Sequence, residues 1–299
     1  MGTLLILVGV FQSWSVALTI FNLCLVSAIM ALGVNIQWGY AGLFNVGVMG
    51  FAALGGLASV LISMPRVDEA WKVGGFGILA GFLIIVTTVM TCLIIWPKIK
   101  KNKRWRYWII FILVILGYSG LRIFFDPGVR AIEDVNPSVT GYLGGLGLPI
   151  LVAWPVGGIL AAGVAFVIGK VALGLRSDYL AIATLGISEI IIIIIKNEEW
   201  LTRGVKNVNG LPRPVPYEVD LQQAAWFQDW ALFLDLPLDD ASSLLVKVCY
   251  ALLFIVVIAV LLWLSETALR SPWGRMMRAI RDNEVAAGAM GKNVTWQHL

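Results

Sequence analysis

Glu189 is the most chemically capable residue of this chain, because it sets an ionisable carboxyl inside the apolar stretch 179–195. It shares one helical face with Asp178, Ile182 and Leu185, and lies about 16 Å beyond Asp178 at 1.5 Å per residue. A carboxyl at that depth is costly in hydrocarbon and normally faces a bundle interior or a cavity. Thr184 and Ser188 place hydroxyls on a neighbouring face. Two readings are open: a polar lining or interhelical hydrogen bond at a moving interface, and a protonated, purely structural glutamic acid.

A second constellation is NIQWGYAGLFN at 35–45, which is polar, glycine-rich and aromatic at once and separates two apolar runs. Non-helical backbone at membrane depth survives only where protein or a water-filled cavity satisfies it, and transporters use such breaks to bind polar solutes. On that reading Asn35, Gln37, Tyr40, Asn45, Thr184, Ser188 and Glu189 are candidates for a substrate path. The other reading is a tight interfacial turn anchored by Trp38 and Tyr40.

Catalysis finds little support. The chain has one histidine, His298, and no pair of carboxylates within one apolar stretch. Metal-ligand spacing is absent, as is a Gly-x-x-x-x-Gly-Lys-Ser/Thr phosphate loop. No cofactor is expected, and if ATP drives this protein a partner hydrolyses it.

The third constellation is the basic segment 268–299. From Arg275 the residues suit a helix over 275–290 with Gly291 as its stop, carrying Met277, Ile280, Ala287 and Met290 on one face. Arg278 with Asp282, and Arg281 with Glu284, have supporting helical spacing. Such a helix lies on anionic lipid or docks into a groove on a cytoplasmic partner. Asp282, Glu284 and the small residues Ala286, Ala287, Gly288 and Ala289 favour the protein partner.

Composition identifies what must position these groups. With 59% hydrophobic and 13% charged residues and a mean hydropathy of +0.87, the chain is a polytopic membrane protein. Its class is all-α, a transmembrane helical bundle of about seven spans with a cytoplasmic coupling helix. The spans are expected near 14–36, 46–63, 73–96, 107–125, 146–170, 179–195 and 244–264. Residues 4–11 either extend the first span or form a short extra element. Lacking a cleavage site, the first thirty residues read as retained membrane segment.

Orientation follows from the basic residues. Lys98, Lys100, Lys101, Lys103, Arg104 and Arg106 fall on the same side as Lys170 with Arg176, and as Arg270, Arg275, Arg278, Arg281 and Lys292. That side is cytoplasmic by the positive-inside rule. The loop 196–242, rich in acidic residues, is then external, and residues 1–264 form one transmembrane domain ahead of a cytoplasmic segment 265–299. Trp71, Trp96, Trp105, Trp108, Trp200 and Trp263 fall at span ends, as an aromatic belt requires. The net charge of +4 is thus a topology signal, with no call for nucleic acid.

Gly157, Ala161, Ala165 and Gly169 form a small-residue stripe, and Gly77-xxx-Gly81 repeats the device. Close helix packing is one reading of the stripe and a transport path the other. Cys24, Cys92 and Cys249 each sit in an apolar run and are expected to be reduced thiols.

Several stretches together resemble the LivM-type permeases of ATP-binding-cassette importers for branched-chain amino acids. They are GYAGLFNVGVMGF at 39–51, LRSDYLAIATLGISEII at 175–191, Asn209-Gly210-Leu211, and LRSPWGRMMRAIRDNEVAAGAMGKNV at 269–294. The last resembles the family's cytoplasmic coupling loop. There Glu284, Ala286, Ala287 and Gly291 are similar to a Glu-Ala-Ala-x-x-x-Gly signature, with Val285 inserted after the glutamate.

The resemblance implies a permease subunit in a bacterial inner membrane, importing branched-chain amino acids or related small polar solutes by alternating access. Its implied partners are a second permease subunit, two cytoplasmic ATPases that use ATP and Mg, and an external or periplasmic solute-binding protein. ATPase coupling would involve Arg275, Arg278, Arg281, Glu284, Ala286, Ala287 and Gly291. Val48 stands where many relatives have a histidine, and Asn45 lies beside the usual serine position. Relatives carry further spans after the coupling loop, so a truncated or split gene product is expected. The competing classes are a self-contained secondary transporter or channel, and a non-transporting assembly subunit.

Overall fold

The computed structural model describes residues 2–98, 103–137, 140–175, 177–233, 235–291 and 293–299, with backbone alone for Pro97, Lys98, Lys103, Arg104, Arg106 and Ser177. Of the expected cytoplasmic cations, Lys100, Lys101, Arg176 and Lys292 lie outside the described residues. Among the described residues the chain is helical, with one isolated bridge between Arg66 and Gly144 in place of any sheet.

In chain order the helices are α1 (Gly2–Phe11), α2 (Trp14–Val34), α3 (Val48–Ser63), α4 (Asp68–Lys98), α5 (Lys103–Glu133), α6 (Ile150–Ala172) and α7 (Ser177–Asn197). Short helices α8 (Glu199–Thr202), α9 (Glu218–Gln223) and α10 (Ala225–Phe233) follow, then the long α11 (Leu238–Arg270). The chain closes with α12 (Pro272–Asp282), α13 (Glu284–Ala289) and α14 (Val294–His298).

Six helical stretches are long and apolar enough to cross a membrane: Trp14–Tyr40, Asp68–Trp96, Tyr107–Glu133, Ile150–Ala172, Asp178–Asn197 and Leu238–Arg270. The remaining expected span is α3, whose 16 residues reach only about 24 Å against about 30 Å of hydrocarbon. Residues 4–11 form a separate element, since the chain breaks at Gln12 and Ser13 caps α2 by accepting from Val16 N at 3.2 Å.

The chain divides into two compact units, and α3, α6 and α7 contribute residues to both. One comprises Ala53–Leu160 and Ile190–Pro212. Its main feature is the antiparallel pair α4 and α5, joined along a glycine seam. A Cβ on Gly74 would collide with Gly128 O and Ile132; on Gly77 it would lie 2.7 Å from Phe124 O, and on Gly81 2.8 Å from Phe125. Only hydrogen at these positions lets the backbones approach, the usual device where lipid gives helices no hydrophobic drive to associate. Ala70, Ile78, Ile132, Leu143 and Trp200 bury around one end of this pair. Trp200 is therefore a core residue and departs from the expected aromatic belt: it is 6% exposed, and its Nε1 donates to Glu198 Oε2 at 2.5 Å.

The other unit comprises Met1–Ala52, Ala161–Glu189 and Arg213–Leu299. Here α2 lies along α11, and Lys247 donates to Ser15 Oγ at 2.5 Å while Asn22 Nδ2 donates to Lys247 O at 3.0 Å. These bonds give partners to polar groups that the apolar stretches would otherwise strand. Part of the expected external loop folds as α9 and α10, whose Leu221, Phe227 and Ala231 bury with Ala241 and Val246 of α11.

Candidate functional site

The sequence break after α2 is a π-helical turn over Asn35–Tyr40 followed by irregular chain up to α3. Widening the helix leaves backbone groups to be met individually. Within the turn Ala41 N donates to Ile36 O at 3.2 Å and Leu43 N to Gln37 O at 3.0 Å. Beyond it, a chain of side chains takes over. Asn45 Nδ2 donates to Gln37 Oε1 at 3.0 Å, and Asn45 Oδ1 accepts from Gly47 N at 2.8 Å.

Helix α7 completes the latch across 138 residues. Thr184 Oγ1 accepts from Val46 N at 3.2 Å, and Ser188 Oγ from Gly50 N at 2.9 Å. Gly50 N lies in the first turn of α3 and also donates to Gly47 O at 3.2 Å, so Ser188 adds a cap supplied from a distance, while Thr184 holds Val46 just ahead of the helix. Ser188 thus makes a hydrogen bond between helices, and Thr184 also lines a cavity. Glycines at 47 and 50 make the approach possible: a Cβ on Gly50 would lie 2.9 Å from Ser188 Cα, and one on Gly47 would collide with Thr184 O.

Beside this latch lie two cavities. One, about 340 Å³, is lined by Gly33 and Val34 of α2, Phe51 and Ala52 of α3, and Ala161, Ala162 and Ala165 of α6, with Gln37 and Asn45 as its polar end. The second, about 270 Å³, shares Gln37, Asn45, Phe51 and Ala165 and adds Leu180, Thr184 and His298. The small-residue stripe therefore divides its work. A Cβ on Gly157 would lie 3.1 Å from Ala58, as in close packing, whereas Ala161 and Ala165 line open space. An apolar chamber with amides at one end holds an aliphatic group while hydrogen-bonding a polar one.

The site residues are not all together. Tyr40 lines a third hollow with Trp273, Met277 and Trp296, and Asn35 folds its carboxamide over Gly39. Glu189 lines none of the described cavities; it is exposed and has no hydrogen-bond or ion-pair partner among the described residues. Asp178 and Ile182 share its exposure.

The coupling segment differs from the continuous helix expected over 275–290. It begins at Pro272, whose missing N–H costs nothing in a first turn, and breaks at Asn283. Asn283 is extended and caps α13 by accepting from Ala286 N at 2.9 Å. Met277 and Ile280 are buried, but the break turns Met290 outward, so the expected apolar face ends with α12. Gly291 takes φ +78° and stops the helix as expected. Asp282 pairs with Arg281 at 3.1 Å in place of Arg278, which donates to Gly274 O at 3.4 Å. Arg275 reaches Arg270 O at 3.0 Å, and Glu284 and Ala286 are exposed.

The contact that sequence reasoning missed is made by Arg281. Its guanidinium donates to Gly39 O in the π turn, and its side chain passes so close to Gly42 that a Cβ there would lie 2.7 Å from Arg281 Cγ. Gly42 has φ +72°, so glycine is required twice over. The signal was present in the glycine following the break, but its partner lies 239 positions on. Nearby, burial lowers the pKa of His298 below its usual value, partly opposed by Glu284, and His298 Nε2 is buried without a partner.

A sequence profile described as branched-chain amino acid transport system / permease component matches residues 16–299. The chain belongs to this family.

The chain is 31% identical over 181 residues to the high-affinity branched-chain amino acid transport system permease protein LivM of Escherichia coli (strain K12), covering 60% of this chain and 41% of that protein. Its counterpart from Salmonella typhimurium (strain LT2) is 29% identical over 185 residues, covering 61% and 42%. The chain spans about two fifths of the length of the curated relatives it matches. No solved structure matches it. The chain is a multi-pass membrane protein of the all-α class, with free thiols at Cys24, Cys92 and Cys249.

Proposed function

We propose that this chain is a transmembrane subunit of an ATP-driven importer of branched-chain amino acids. The observation that carries the reading is the latched helix break beside an apolar chamber whose polar end is Gln37 and Asn45. An aliphatic side chain suits walls of alanine, glycine, valine and phenylalanine. The charged ends of an amino acid would be met by amides and by the backbone groups that the break leaves accessible.

Residues 1–264 would be the transmembrane domain and 265–299 the cytoplasmic coupling segment, in a bacterial inner membrane. Two ATPases using ATP and Mg would dock on α12 and α13, where Arg275, Arg278, Glu284, Ala286, Ala287 and Gly291 offer mixed charge and small residues. A second permease and an external solute-binding protein would complete the importer. Movement of α12 would reach the π turn through Arg281 and Gly39, and the chamber would change access as the latch to Thr184 and Ser188 opens and closes.

Proteoliposomes holding the chain with its companion subunits and binding protein should accumulate labelled leucine, isoleucine or valine only when ATP is supplied. Asn45→Ala should lower uptake without loss of assembly, and a charge swap at Arg278 or Glu284 should lower solute-stimulated ATP hydrolysis. Uptake driven by an ion gradient without ATP would overturn the proposal in favour of a secondary transporter. Assembly without any uptake would favour a non-transporting subunit.

A further inference from the structure

The α4–α5 pair carries a feature that the transport reading does not use. Between the two helices runs a groove of about 460 Å³, lined by Ile85, Thr88, Cys92 and Trp96 on one side and Ile110, Val114 and Gly117 among others on the opposite side. On each helix the lining covers eleven residue steps, from Ile85 to Trp96 and from Ile110 to Leu121. That is about 16 Å at 1.5 Å per residue, close to one leaflet of a hydrocarbon layer about 30 Å thick.

The wall suits hydrocarbon. Thr88 has already given its hydroxyl hydrogen to Ile84 O at 2.7 Å, as Thr91 has to Thr87 O at 2.6 Å. At its floor a Cβ on Gly117 would collide with Thr88, so the helices touch there and close the bottom of the slot.

Its upper end is chemically distinct. Trp96 and Tyr107 meet edge to face, 6.3 Å between ring centres, in the aromatic pattern of a membrane interface. One turn beyond them the helix ends carry Lys98, Lys103, Arg104 and Arg106 with no acidic residue from 97 to 106. A leaflet-long apolar slot ending at aromatic rings and then at cations is complementary to one molecule, an acyl chain joined to a negative headgroup.

We propose that the α4–α5 groove binds an anionic phospholipid, its acyl chain between the helices and its phosphate at the basic helix ends. The full chain would be placed in nanodiscs of phosphatidylcholine with a minority of phosphatidylglycerol, and retained lipid read by native mass spectrometry. One phosphatidylglycerol per chain should remain in preference to phosphatidylcholine. Cys92→Trp and Val114→Trp, which fill the slot from opposite helices, should each abolish retention.

Replacing Lys98, Lys103, Arg104 and Arg106 together by Gln leaves the slot intact and should weaken retention by at least roughly a hundredfold, the summed effect of four charges near one headgroup. Equal retention of phosphatidylcholine, or retention unaffected by either class of variant, would overturn the assignment. So would crosslinking of Cys92 to a second protein chain in place of lipid.

Discussion

The α4–α5 pair and the α2–α3 junction both depend on glycine, and they use it for opposite ends. In the pair, Gly74 and Gly77 let two helices approach until backbone meets backbone, and Gly81 admits the ring of Phe125. Contact there is between helix surfaces and needs no directional partner. At the junction, Gly47 and Gly50 admit α7 so closely that its hydroxyls accept from Val46 N and Gly50 N. A seam of dispersion contacts is hard to open part-way, whereas a latch of a few hydrogen bonds opens one bond at a time. Within one polypeptide, glycine thus serves both a dispersion seam and a hydrogen-bonded latch.

The largest expected effect tests the rigid side. Gly74→Leu forces a side chain into Gly128 and Ile132, and overpacking of this kind costs about 1–3 kcal/mol or more. Thermal unfolding in detergent should show a clear loss, while Gly120→Ala, whose Cβ would find its nearest neighbour at an ordinary 3.7 Å, should be neutral. Equal behaviour of the two variants would break the claim that the seam is closed by glycine.

The latch comes next. Ser188→Ala removes one of two acceptors of the buried Gly50 amide, which keeps Gly47 O at 3.2 Å, a loss of about 1 kcal/mol. Thr184→Val should cost less, because Val46 is exposed at its end of the bond. A double-mutant cycle would sharpen the comparison: hydroxyls acting on one element should couple, and strict additivity would separate them.

Gly42→Ala comes third. A positive φ costs a residue with a Cβ about 1–2 kcal/mol, and the side chain of Arg281 must also shift. Solute uptake should fall further than stability does, as measured in the same preparation. A matching decline in both would leave Arg281 with a purely structural part.

The smallest effect concerns His298. Its pKa in the folded chain is lowered by burial, so the undocked tail takes up a proton first. Docking of α14 is therefore fully favoured above the ordinary value of 6.5 and is weakened as pH falls below it. Fluorescence of Trp296, which packs 6.5 Å from Phe166, should report release of the tail on acidification, and His298→Phe should flatten that response.

Span locations were legible because apolar length is a one-dimensional property. Their ends were not: α5 runs to Glu133 although Pro127 lies within it, since the lost amide hydrogen bond is local and flanking turns continue. The helix break at 35–45 was legible from its composition, and so were the hydroxyls of α7. Their pairing was not, because Thr184 and Ser188 meet Val46 and Gly50 through tertiary packing that no spacing rule encodes. Trp200 was misplaced for a related reason, as a ring near a span end looks the same in sequence whether it faces lipid or folds onto Phe125 at 5.3 Å. Asn283 misled as a mid-helix residue, because its side chain serves the amide of Ala286 as well as any cap would.

The π turn has a mechanical consequence of its own. It holds one residue more than the α-turns before it, and so behaves in a helix as a dislocation does in a crystal lattice. Gliding that fault one position along the chain rotates the residue it passes by about 100°, while most of the bonds on either side stay made. Gln37, which sits on the fault and closes the polar end of the chamber, is the side chain such a glide would swing away.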